Sequence, residues 1–89
     1  MELRVLREQI DATDEQLLAL FQTRMDLAAQ VALYKKEHRL PILNKERERL
    51  ILASLDHRCR PEHLPYARRL YEQLLRLSRD YQRDILEDA

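Results

Sequence analysis

LRVLREQIDATDEQLLALFQTRMDLAAQVALYKKE, residues Leu3 to Glu37, decides the fold, because nothing in it breaks a helix. The stretch has no Pro and no Gly, and its β-branched residues stand as isolated cases such as Thr13, Thr23 and Val31. With Leu3 at position a of a seven-residue repeat, Leu3, Ile10, Leu17, Arg24 and Val31 occupy a, and Leu6, Thr13, Leu20, Leu27 and Tyr34 occupy d. The pattern predicts one helix of about 35 residues, roughly 50 Å long. A compact domain of this size has a radius of gyration of about 12 Å, so the chain is too small to cover such a helix by itself. A second copy is expected to cover the rest.

Arg24 breaks the apolar seam. A guanidinium keeps its charge, and leaving one buried without an anion costs roughly 3 to 5 kcal/mol. Something negative is therefore expected inside the bundle. Lys35 lies eleven positions further on, within about 20° of the same helix face and about 16 Å along the axis, so the two cations can line one wall. Arg7 lies about 25 Å from Arg24, too far to share a small ligand within one chain, although in an antiparallel dimer it could reach the partner's pocket.

Beyond Glu37 the chain turns. In His38-Arg39-Leu40-Pro41 the proline pushes its predecessor out of the α region, and Asn44 is an N-cap for a short second helix from Lys45 to about Leu55. Asp56 to Arg60 forms a second joint. Pro61 fits the first turn of a third helix, and Pro65 is near enough to the start to be tolerated, with a delay of about one turn. The apolar stripe of that helix is Ala67, Leu70, Tyr71, Leu74, Leu77, Tyr81 and Ile85. The fold expected over residues 1–89, taken as a single domain, is all-α, with three helices.

Composition agrees. The 89 residues are 45% hydrophobic and 36% charged with no Gly, which favours helix over hairpins. Sixteen basic and sixteen acidic side chains cancel, so no net field favours nucleic acid or an anionic membrane. One cysteine, no apolar run long enough to span a bilayer and no targeting segment at Met1-Glu2-Leu3 lead us to expect a soluble cytoplasmic protein. His57, Cys59 and His63 offer three ligand types, but without a fourth or a recognisable spacing they read as surface residues, and no metal is expected.

The second and third helices also turn polar groups inward. Asn44, Glu48, Ile51 and Leu55 share one stripe, with Arg47 beside it, and Ser78 and Gln82 extend the stripe made by Tyr71, Leu74 and Leu75 on the third helix. Singly, each has a plainer reading. Arg24 alone reads as a residue that sets register or pairs with a buried Glu, Lys35 as a complement to the helix dipole, and Arg47 and Glu48 as part of a solvated charge run. Ser78 and Gln82 alone read as ordinary satisfied core residues. Together they describe a pocket of cations, one carboxylate and two neutral hydrogen-bonding groups, suited to a small dianion with a hydroxyl. No set of nucleophile and base can be assembled at helical spacing, which favours a reaction needing neither nucleophile nor cofactor.

Leu6-Arg7-Glu8-Gln9-Ile10-Asp11, Asp14 to Leu20, Arg24-Met25-Asp26-Leu27-Ala28, Lys35, Arg47-Glu48-Arg49, Ser78 and Gln82 together resemble the all-α class of chorismate mutase, over essentially the whole chain. The resemblance implies an intertwined homodimeric helical bundle that converts chorismate to prephenate without a cofactor. It implies Arg24 and the partner's Arg7 on the substrate carboxylates, with Arg47 completing the cationic wall. Lys35 and Gln82 would donate to the ether oxygen, Glu48 would hold the ring hydroxyl, and Ser78 would lie against a carboxylate. Asn44 departs from the family, which often has an acid there; a backbone contact can replace it, and activity is expected to survive. Two rivals remain: an isochorismate-pyruvate lyase of the same fold, against which Glu48 argues, and a non-catalytic helical dimerisation or regulatory module.

Overall fold

The computed structural model of the chain describes residues 2–88. Helix α1 spans Leu3–Glu37, α2 spans Lys45–Ser54 and α3 spans Leu64–Asp88, with 3-10 turns at Leu55–His57 and Pro61–His63. Among the described residues there is no strand.

The first joint holds the end of α1 with a left-handed cap. The N–H of Leu40 donates to the carbonyl of Lys35 at 2.7 Å and that of Arg39 to the carbonyl of Lys36 at 3.2 Å, the paired bonds of a Schellman motif. The residue at its left-handed position is Arg39, with φ of 54°. Glycine is usual there, because a Cβ costs about 1 kcal/mol or more in that region. The Tyr34 and His38 rings stack over the same turn, with centroids 3.9 Å apart. Asn44 caps α2 as its position predicts: its Oδ1 accepts from the Arg47 N–H at 3.0 Å.

The third helix starts later than Pro61. In an α-helix the Pro65 ring would collide with the carbonyl four residues back, that of Pro61. The chain instead takes a 3-10 turn there, with the His63 N–H donating to the Arg60 carbonyl at 2.9 Å, and α3 follows with Pro65 in its first turn.

Helices α1 and α3 pack on one another, and α2 packs against α3. The core is thin: Ala28 and Ala32 of α1, Leu55 after α2, and Leu75 and Gln82 of α3. Two alanines on α1 let a neighbouring helix approach closely. The heptad seam expected to be buried is not covered within the chain. Every residue from Leu6 to Leu20 is exposed, and the internal contact uses another stripe, with Phe21 and Met25 half-buried and Ala28 and Ala32 buried. On α3 the expected stripe is covered in part: Ala67, Tyr71, Leu74, Tyr81 and Ile85 are half-buried and Leu75 is buried, whereas Leu70 and Leu77 are exposed. The shape follows: extents of 54 × 28 × 14 Å and a radius of gyration of 16.2 Å, against the ~12 Å of a compact domain. No described helix is long and apolar enough to cross a membrane.

Candidate active site

A cavity of about 320 Å³ lies where the C-terminal half of α1, α2 and the middle of α3 meet. Its walls carry Arg24 and Lys35 from α1, Asn44, Arg47 and Glu48 from the start of α2, and Ser78, Arg79 and Gln82 from α3. Leu27, Val31, Ile42, Ile51 and Leu75 supply the apolar remainder. Seven of the eight residues singled out in the sequence therefore border one space. Arg7 does not; it is exposed on the uncovered half of α1.

Local folding positions each side chain. The Schellman cap ends α1 just past Lys35, and the loop that follows brings the Ile42 carbonyl back to accept from Lys35 Nζ at 2.6 Å. Asn44 fixes the start of α2, which sets Arg47 and Glu48 one turn in, at the cavity. The run Lys45-Glu46-Arg47-Glu48-Arg49 thus divides by face: Glu46 and Arg49 pair on the exposed side at 2.6 Å, and that hydrogen bond holds the Glu46 carboxyl below its usual range. Arg47 and Glu48 are left to border the cavity.

On α3, Gln82 Nε2 donates to Ser78 Oγ at 3.0 Å, one helical turn away. An amide nitrogen has a second hydrogen and a hydroxyl that accepts can still donate, so both residues keep a donor for a ligand. Gln82 is only 6% exposed, and its Oε1 is buried with no partner among the described residues. Folding alone rarely leaves such an atom unpaired.

Charge is unbalanced in the cavity. Arg24, Lys35, Arg47 and Arg79 face one carboxylate, Glu48, which pairs with Arg79. Arg24, Lys35 and Arg47 form no ion pair among the described residues. The anion expected beside Arg24 is therefore not supplied among the described residues. Such a site attracts a small anion with more than one negative group, with an apolar wall for its carbon frame. Arg79 went unread in the sequence, although it lies four positions from Leu75 and three from Gln82, on the same line of α3. The loop residue Ile42 had no readable signal. Among the described residues no group of His, Cys, Asp and Glu is arranged to hold a metal ion.

Residues 6–83 match the family profile of chorismate mutase type II. The chain belongs to that family. The T-protein of Enterobacter agglomerans is 43% identical over 75 residues, and that of Haemophilus influenzae 38% identical over 74 residues. These alignments cover 84% and 83% of the chain but 20% and 19% of the relatives, so the chain spans about a fifth of their length. Among solved structures, a conserved hypothetical protein from Pyrococcus furiosus superposes with a TM-score of 0.75 at 32% identity, covering 90% of this chain and 93% of that one. A chorismate mutase domain is an isomerase.

Proposed function

We propose that the chain converts chorismate to prephenate by a Claisen rearrangement, as a homodimer in which each pocket takes Arg7 from the other subunit. The observation that carries this reading is the convergence of Arg24, Lys35, Arg47, Glu48, Ser78 and Gln82 on one cavity in a chain of the chorismate mutase family.

In this reaction the ether carbon–oxygen bond breaks as a carbon–carbon bond forms in the same molecule, with no covalent intermediate on the enzyme. The barrier falls when the folded conformer is held and donors meet the charge that develops on the ether oxygen. Arg24 and the partner's Arg7 grip the two carboxylates, with Arg47 beside them and the Ser78 hydroxyl donating to one. Lys35 Nζ and the second hydrogen of Gln82 Nε2 donate to the ether oxygen. Glu48 accepts the ring hydroxyl, and Asn44 contributes by holding the start of α2.

The dimer is supported by the exposed run Leu6–Leu20, by a radius of gyration well above that of a compact domain, and by the place of Arg7 outside the cavity. An antiparallel partner would cover the seam and bring its Arg7 across. We place the enzyme in aromatic amino acid biosynthesis in the cytoplasm, where its single half-buried thiol, Cys59, would remain reduced.

The deciding experiment follows chorismate loss with identification of products, beside a measurement of mass in solution. Prephenate from a dimer supports the proposal. Salicylate and pyruvate from isochorismate, with chorismate left intact, would instead identify a lyase. A melting temperature unmoved by a bicyclic dicarboxylate mimic of the transition state would point to a non-catalytic module.

A further inference from the structure

The ion pair between Glu48 on α2 and Arg79 on α3 joins residues 31 apart in sequence. Its side chains are 22% and 24% exposed, whereas every other ion pair among the described residues is at 48% or above. Arg79 donates to Glu48 Oε1, and Oε2 makes no hydrogen bond among the described residues. Both side chains border the cavity.

We infer that Arg79 is a positioning residue that fixes the Glu48 carboxylate through Oε1 and leaves Oε2 as the acceptor for the hydroxyl of the substrate. This rests on the chorismate reading above. Of the four cations around the cavity, Arg79 alone pairs with a carboxylate among the described residues, which leaves Arg24, Lys35 and Arg47 to the carboxylates of a ligand. A carboxylate on a short helix with a free choice of rotamer would lose conformational freedom on meeting a hydroxyl. One already clamped from the neighbouring helix has lost it on folding. The pair also ties α2 to α3 at the level of the cavity, so the hydroxyl acceptor and the donors on Ser78 and Gln82 move as one unit.

The ring hydroxyl takes no part in the bonds that form and break, so its acceptor serves ground and transition states alike. Loss of positioning should therefore appear in KM with kcat little changed. The test is a double-mutant cycle on the full dimer, with Arg79→Ala, Arg79→Met, Arg79→Lys and Glu48→Gln, and with every melting temperature recorded. Arg79→Ala and Arg79→Met are expected to raise KM about tenfold, a usual size for coupled neighbours, and Arg79→Lys by less. In the Glu48→Gln background, Arg79→Ala is expected to add less than about twofold. Where a variant turns over too slowly, the dissociation constant of the bicyclic dicarboxylate mimic replaces KM.

Equal losses in both backgrounds would show that Arg79 touches the ligand directly and overturn the inference. So would an unchanged KM with a lowered melting temperature, which is the mark of a purely structural pair. Both leave the functional reading standing, because the parent enzyme still turns over. A parent enzyme without any turnover would overturn that reading and this inference with it.

Discussion

Lys35 is held from two directions. Its ammonium donates to the Ile42 carbonyl, and its own carbonyl accepts from Leu40 in the cap that ends α1. A donor fixed in this way reorganises little as charge develops on a ligand, which is where electrostatic catalysis gains most. Lys35→Ala is expected to lower kcat/KM by at least about a hundredfold, and steady-state kinetics showing near-normal turnover would remove Lys35 from its role. Arg39, four residues on, holds the left-handed position at φ of 54°. Arg39→Gly is expected to stabilise the protein by about 0.5 to 1 kcal/mol, read as a higher urea midpoint with an unchanged slope. The cationic seam residue Arg24 was legible because a single charge interrupts a long apolar repeat. Arg79 was not, because its partner lies on another helix and helical spacing reports only neighbours on the same one.

Among the elements, α2 depends most on its boundary, since it has ten residues, none of them buried, and its first turn carries Arg47 and Glu48. A helix so short has little intrinsic stability, and its cap supplies a sizeable share. Asn44→Ala is expected to cost about 1 kcal/mol in thermal or chemical unfolding and to weaken substrate binding, whereas Asn44→Asp should keep the stability. The extents of α1 and α2 were legible to within about a residue, because proline and a capping Asn mark them chemically. The 3-10 turn at Pro61–His63 was not, for it arises where Pro61 and Pro65 compete for the same helical start. The buried stripe of α3 was legible only in part. Leu70 and Leu77 fit an apolar period as well as Leu75 does, and which of them is covered within the protomer depends on α1.

At the level of the molecule, the N-terminal half of α1 is an arm without a cover of its own. Leu17 and Leu20 on it are 56% and 68% exposed. If a second chain buries this seam, Leu17→Glu with Leu20→Glu should yield a monomer by sedimentation, with a lower melting temperature and loss of activity. The parent protein should melt at a temperature that rises with its concentration. A parent protein that sediments as a monomer at every concentration would remove the dimer and the crossing of Arg7 with it. That α1 lacks full cover within its own chain was legible from the length of the helix alone, because a helix of about 50 Å outruns what 89 residues can wrap.

If Arg7, on the arm and away from its own chain's cavity, serves the pocket of a second copy, the enzyme is open to genetic complementation. An Arg7→Ala chain and a Lys35→Ala chain would each form an impaired homodimer. In a mixed dimer both lesions fall in one pocket, and the other pocket is assembled from two undamaged contributions. Co-refolding equal amounts should restore about a quarter of the parental rate, half the dimers being hybrids with half their pockets intact. No recovery, with hybrid formation verified by mass, would mean that each pocket is built from one polypeptide.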